Sequence, residues 1–142
     1  MSQTTNVTLS AWVRWAGPNG NIQVIMHNGN TSSSGYGIYI DTSGILTCLP
    51  AGLVAYSTPY SFLQTKWTHV AITIDSGGSW LVYINGNLNY TGGQTPIALI
   101  TGDVFRVSGS SVAANQEFNG DIDDVRVYNR ALTAAEIQAL AN

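Results

Sequence analysis

One stretch decides the fold: residues 67–86, which read WTHVAITIDSGGSWLVYING. Apolar side chains at positions 70, 72 and 74 alternate with the residues between them, which is the period of a β-strand with one buried face. Residues 75–78 are typical of a turn, and Asn85-Gly86 best tolerates the two positive φ angles of a type I′ hairpin. The stretch therefore predicts consecutive antiparallel strands.

The same pattern extends in both directions from this stretch. Further short apolar runs, separated by Gly, Asn, Ser and Asp, predict strands at residues 7–15, 22–26, 36–40, 45–49, 104–107 and 122–128. Helical signals occur only at the C-terminal end, where Thr133 and Glu136 have the spacing of a capping box that leads into Ile137 and Leu140. We expect an all-β, two-sheet antiparallel sandwich with a short C-terminal helix.

Composition limits the classes of function. The chain has 142 residues, 44% of them hydrophobic, which suits one domain over residues 1–142. Its net charge is -3, with five Lys and Arg in total, so it lacks the clustered cations that bind nucleic acid. The longest apolar run, residues 45–55, is too short for a membrane helix, and no membrane insertion is expected.

Several segments, in order, carry a family resemblance. They are Leu9-Ser10-Ala11-Trp12-Val13, Trp67-Thr68-His69-Val70-Ala71, Tyr83-Ile84-Asn85-Gly86, residues 118–132 (FNGDIDDVRVYNRAL) and Glu136-Ile137. Together they resemble the laminin G-like, pentraxin-like branch of the concanavalin A-like lectins and glucanases. The resemblance implies a jelly-roll sandwich.

One departure from that family concerns the first strand. Members usually carry a strand reading apolar-x-Phe-Asp-Gly before the segment that begins here at Asn6, whereas this chain has only a six-residue polar lead there. In the family that strand lies beside the C-terminal one, so its absence predicts an exposed edge on the strand at residues 122–128. Either the chain is part of a longer protein, or a neighbouring chain pairs with this edge and makes a homo-oligomer or larger assembly.

The resemblance and the composition together suggest a glycan site. Sugars need an aromatic ring to stack on and planar amides to bind their hydroxyls, and such side chains lie at predicted strand ends or in loops. The candidate ligand-binding residues are Tyr36, Tyr56, Tyr60, Trp15, Asn28, Asn30 and Trp80. The alternative is that the Trp side chains fill the core and the Tyr rings cap its rims. Trp12 and Trp67 are predicted to be core residues.

Calcium is the cofactor that the resemblance implies, since many relatives bind it through loop oxygens. The candidate ligands are Asp121, Asp103 and Asn119, with Asp41 as a further carboxylate, and a role in turns explains them equally well. Retaining glycosidases need two carboxylates about 5 Å apart, whereas this chain has only two Glu, and its Asp121–Asp124 run fits a structural strand. No enzyme is therefore expected.

These observations leave two hypotheses for function. The first is a non-catalytic carbohydrate-binding or adhesion module whose partner is a glycan or glycoprotein. The second is a structural decoration or fibre domain of a virion or cell-surface assembly that associates through its exposed edge strand. Both hypotheses place the chain outside the cell, at a cell surface or on a virion surface.

Overall fold

The computed structural model describes residues 6–29, 35–50, 54–93, 104–109 and 113–142. Within these ranges the strands and the helix follow one another in chain order. They are β1 Val7–Trp15, β2 Gln23–Asn28, β3 Tyr36–Ile40, β4 Ile45–Leu49, β5 Tyr56–Ser61, β6 Trp67–Ile74, β7 Trp80–Ile84, β8 Asn87–Thr91, β9 Phe105–Val107, β10 Gly120–Tyr128 and α1 Ala134–Leu140.

The strands form two antiparallel sheets of five strands each. Sheet A has the order β10-β1-β6-β7-β8, and sheet B has the order β5-β4-β3-β2-β9. Neighbours that are distant in the chain, such as β1 with β6 and β10, show that the sheets are not simple meanders. The arrangement confirms the predicted jelly-roll sandwich with its short C-terminal helix.

The core lies between the sheets and follows the strand alternation. In β6, the side chains of Val70, Ile72 and Ile74 are fully buried against the inner residues of β1 and β3. Trp80 of β7 is also fully buried, with Tyr56 and Tyr90 at ring-centroid distances of 5.1 and 5.2 Å. The alternation of residues 67–86 therefore identified the inward-facing side of β6 correctly.

Three sequence-based expectations about this frame were wrong. Residues 56–61 form the edge strand β5 rather than a loop, and Pro59 is tolerated there because an edge position needs no second ladder bond. Trp67 is not a core residue, since 44% of its surface is exposed. It begins β6 on the outer face of sheet A, where the Arg14 guanidinium lies 5.2 Å from its ring centre. Trp12 is not a core residue either: Ala11 and Val13 of β1 point inward, so Trp12 is half-buried on the same outer face, 5.3 Å from the His69 ring.

The C-terminal helix covers part of the outer face of sheet A. Leu132 and Ile137 pack there against Ala71 and Tyr83 in a second, smaller hydrophobic cluster. The predicted capping box is present, because Thr133 Oγ1 accepts from the Glu136 amide and the Glu136 carboxylate accepts from the Thr133 amide. No helix in the described ranges is long and apolar enough to cross a membrane.

The last strand of sheet A lies at its edge. Within the described residues β10 pairs only with β1. Arg14 Nη2 of β1 is 2.8 Å from Asp121 Oδ2 of β10. The β10 edge also carries Asp123, Asp124 and Arg126, and charges of this kind oppose uncontrolled strand pairing.

Candidate functional site

A groove crosses the outer face of sheet B, on the side away from the core. The register places Leu49, Gly37 and His27 next to one another on β4, β3 and β2. A second row runs through Thr47 and Tyr39 on β4 and β3, and reaches Val24 on β2. Because cross-strand partners point to the same side of a sheet, these residues share one surface.

Gly37 provides the low point of this surface. A Cβ atom built on Gly37 would lie 2.4 Å from His27 Cδ2 and 2.8 Å from the Met26 carbonyl oxygen. Only glycine therefore leaves room for the His27 imidazole to lie over β3. The ring is buried and forms part of the floor of the groove.

Tyr39 is the half-buried aromatic residue on the same side of β3. Its neighbours in the strand, Ile38 and Ile40, point into the core, so strand alternation directs the Tyr39 ring outward. Burial, and then the nearby Asp41 carboxylate, raise the pKa of the Tyr39 hydroxyl. The phenol is therefore protonated at neutral pH and can both donate and accept a hydrogen bond.

The groove encloses about 250 Å³. It is lined by Ile22, Val24, His27, Ile38, Tyr39, Leu49, Ala55 and Gln116. Gln116 is held there because its backbone carbonyl oxygen accepts a hydrogen bond from the Val24 backbone amide at 2.8 Å. The described lining combines an aromatic ring, an imidazole and an amide with apolar side chains, and it contains no Asp, Glu, Lys or Arg. Such a surface suits a small neutral ligand face, such as one side of a sugar ring.

Four of the predicted ligand residues are buried instead of exposed. Trp15, Trp80 and Tyr36 lie in the core, so their ring faces are covered by protein and cannot stack on a sugar. Asn28 is buried as well, and its Nδ2 donates to the Tyr36 hydroxyl at 2.9 Å. These residues therefore fit the alternative interpretation, in which such side chains belong to the core or its rim. Asn30 lies outside the described residues.

Tyr56 and Tyr60 are half-buried on β5, on the side that packs against the core. The Tyr60 ring meets Phe62 at a centroid distance of 5.0 Å, and its hydroxyl is 3.4 Å from Thr68 Oγ1. Tyr56 packs on Trp80. Both rings therefore cap the rim of the sandwich, and the structure does not bring either of them together with the groove of sheet B.

Two of the predicted calcium ligands, Asp121 and Asn119, have hydrogen-bond partners within the protein. Asp121 Oδ2 accepts from Arg14 Nε at 2.9 Å, and the amide of Asn119 donates to the Gly17 carbonyl, next to the buried Gln23 side chain. An arginine beside the carboxylate opposes a second cation there. No group of three or more His, Cys, Asp or Glu in the described ranges is placed to hold a metal ion. Asp103 lies outside those ranges, so calcium binding stays a prediction.

The carboxylates of β10 and of the helix have hydrogen-bond partners within the fold. Asp124 Oδ1 accepts from Arg126 Nε at 2.9 Å, and Asp123 Oδ1 accepts from the Asp124 amide. Glu136 is bound by both terminal nitrogens of Arg130 at 2.8 and 2.9 Å. These groups stabilise β10 and the helix, and none of them lines the groove of sheet B.

Sequence reasoning missed the groove because it selected aromatic residues by their position in loops. The signal that could have found it is the phase of β3: Tyr36, Ile38 and Ile40 face the core, which leaves Gly37 and Tyr39 on the solvent side. A glycine beside an outward tyrosine in the middle of a sheet indicates a depression with an aromatic wall.

Comparison with known proteins agrees with this architecture. A profile of the laminin G family, described as the Concanavalin A-like lectin/glucanases superfamily, matches residues 1–138. The adhesion G-protein coupled receptor V1 of Danio rerio is 28% identical over 149 residues. The match covers 96% of this chain but only 2% of that receptor.

Solved structures share the fold at lower identity. The CBM40 domain of the Ruminococcus gnavus IT-sialidase, bound to α2,3-sialyllactose, has a TM-score of 0.78 and 19% identity over 98% of this chain and 84% of its own. Domain 4 of a Geobacillus stearothermophilus extracellular arabinanase, in complex with arabinotriose, has a TM-score of 0.76 and 21% identity, covering 100% of this chain and 68% of its own. At such identities the likeness shows the fold alone.

Proposed function

Since this chain belongs to the laminin G family of the concanavalin A-like lectin/glucanases superfamily, we propose that it is a non-catalytic carbohydrate-binding module that acts outside the cell, in recognition or adhesion. The observation that carries the proposal is the groove of sheet B, where the outward ring of Tyr39 stands beside the His27 imidazole over Gly37. Sugar-bound neighbours of the same fold support this class of ligand.

The groove supplies what sugar binding requires. The C–H face of a sugar ring would pack on Tyr39 and Leu49, and its hydroxyls would exchange hydrogen bonds with the Tyr39 hydroxyl and the Gln116 amide. A volume of about 250 Å³ suits one sugar ring better than a long chain. The described carboxylates that have hydrogen-bond partners serve structure, which supports a binding role without hydrolysis.

A glycan array, followed by calorimetric titration of the sugars it identifies, tests the proposal. We expect Tyr39→Ala to weaken binding about tenfold, or about 1.4 kcal/mol, and Tyr39→Phe to keep most of it because the stacking ring remains. Trp67→Ala is the matched control, since it removes an exposed aromatic ring from the opposite sheet. Running both assays with and without calcium tests the cofactor prediction.

Two outcomes would overturn this proposal. One is the absence of any binding at millimolar sugar, with and without calcium. The other is a Tyr39→Ala protein that binds as well as the wild type, which would exclude the groove. A Tyr60→Ala variant then examines the rim of the sandwich, where the sequence alone placed the site.

A structural role in an assembly is the second candidate. The supporting observation is that β10 pairs on one side only within the described part of the chain. A second chain that added a strand there would extend sheet A. Light-scattering mass over a concentration series tests it: a closed oligomer that Val127→Pro disrupts supports the role, and a monomer at all concentrations contradicts it.

A further inference from the structure

One arginine lies beside the groove of sheet B. Arg106 of β9 is the direct cross-strand partner of His27, and β9 is the strand next to β2 at the edge of the sheet. Phe105 packs against the core, so alternation turns the exposed Arg106 side chain to the outer face. The cross-strand row of Leu49, Gly37 and His27 therefore continues on β9 with the guanidinium side chain of Arg106.

This arginine differs from the other arginines of the chain. Arg14, Arg126 and Arg130 are each paired with a carboxylate at 2.8–2.9 Å. Arg106 makes no ion pair with any residue that the structure describes. The chain has five Lys and Arg and a net charge of -3. An arginine at the edge of a groove that has no carboxylate partner among the described residues gives this edge a local positive charge.

The spacing of the sheet brings this cation within range of a bound sugar. Neighbouring strands lie about 4.8 Å apart, so β9 is roughly 10 Å from β3, which carries Tyr39. Between them stand His27 and the bare backbone of Gly37. A sugar stacked on Tyr39 would lie over Gly37 with one edge directed toward β9, where the long Arg106 side chain extends.

We propose that the module selects sugars that carry a carboxylate, such as uronic or sialic acids, and that Arg106 binds this group. The inference rests on the proposed function of the groove. A guanidinium presents two parallel N–H donors that match the two oxygens of a carboxylate, which a lysine cannot do. Among the residues that the structure describes, the lining of the groove carries no Asp or Glu, and the Asp41 carboxylate near Tyr39 accepts hydrogen bonds from the Ser43 and Ile45 amides of its own turn.

The test compares matched pairs of sugars by calorimetry at low salt. The probes are the methyl glycosides of glucuronate and glucose, those of galacturonate and galactose, and 3′-sialyllactose with lactose. In at least one pair we expect the acidic sugar to bind about five- to tenfold more tightly, the range of an exposed charged hydrogen bond. That preference should shrink as salt increases.

Variants assign the preference to the residue. Arg106→Gln should abolish the difference within a pair and leave neutral sugars unchanged within about twofold, and Arg106→Lys should restore only part of it. Arg126→Gln is the control because it makes the same change in net charge on the opposite sheet. A galactose 6-sulfate arm distinguishes a carboxylate from any anion, since equal gains for sulfate would overturn carboxylate selection.

The outcomes separate the two proposals. If neutral and acidic sugars bind equally, or if Arg126→Gln acts like Arg106→Gln, selection by Arg106 is wrong while the groove remains a glycan site. If none of the pairs binds, selection is also wrong, and only a glycan array without any binder removes the proposed function as well.

Discussion

Gly37→Ala should destabilise the sandwich although it adds one methyl group to an otherwise unchanged strand. The new Cβ would lie 2.8 Å from the Met26 carbonyl oxygen and 2.4 Å from His27 Cδ2. The imidazole can rotate away, but the carbonyl belongs to the backbone of β2 and can move only with the sheet. Overpacking of this kind costs about 2–3 kcal/mol, offset by roughly 0.5–1 kcal/mol because Ala loses less backbone freedom than Gly in a strand.

The expected net loss is therefore about 1–2.5 kcal/mol. For a chain of this length that lowers the melting temperature by roughly 3–8 °C, measured by circular dichroism at several scan rates. The control is Gly93→Ala, where a Cβ meets nothing within 4 Å, and we expect it to leave the melting temperature unchanged or slightly higher. Equal melting temperatures for the two variants would refute the close packing of His27 over Gly37.

Three further predictions concern other parts of the molecule. Gly92→Ala should cost about 3 kcal/mol or more in urea unfolding, because its Cβ would lie 1.8 Å from Cε2 of the fully buried Trp80; a wild-type midpoint would contradict this contact. Bonds from Arg130, then from the Thr133 backbone, lower the pKa of Glu136 to about 2. A lowered pKa stabilises the fold at pH values above the unfolded value of about 4.5, and this stabilisation is lost as the pH falls through about 2. The melting temperatures of the wild type and Glu136→Gln should therefore converge as the pH is lowered from about 4.5 to about 2. A constant difference in melting temperature over this pH range would exclude this role. Burial raises the pKa of the Cys48 thiol far above its ordinary value. A thiol reagent at pH 8 should therefore label Cys48 only as fast as the protein unfolds. Rapid labelling of the folded protein would contradict this prediction, because it would show that the thiol is accessible.

The strands and the core could be predicted because both follow from local alternation. Residues 67–86 specified two hairpins, and the phase of Val70, Ile72 and Ile74 identified the buried side of β6. The capping box at Thr133 and Glu136 likewise needs only four residues of sequence. Each of these signals is contained in a short segment, so tertiary context had little to change.

The site could not be predicted in the same way because it depends on which neighbours cover each face. Tyr36 and Tyr39 belong to the same short strand, yet Tyr36 is in the core and Tyr39 faces solvent. Successive strand residues point to opposite sides of the sheet, so a shift of one residue in the assignment exchanges the two sides. Trp67 lies on the outer face of sheet A, and nothing in its own segment shows that the C-terminal helix ends short of it. Arg106 lies next to His27 through a pairing of residues 79 positions apart.

The interior place of β1 in sheet A has a consequence for how the protein folds. This strand lies between β6 and β10, and Thr8 pairs with Thr73 on one side and with Tyr128 on the other. During synthesis, β1 therefore emerges well before β10, and its second side is satisfied only once β10 is available. Such distant pairings make folding slow, on the scale of milliseconds to seconds, and until β10 arrives the nascent chain exposes an apolar strand that a chaperone would recognise.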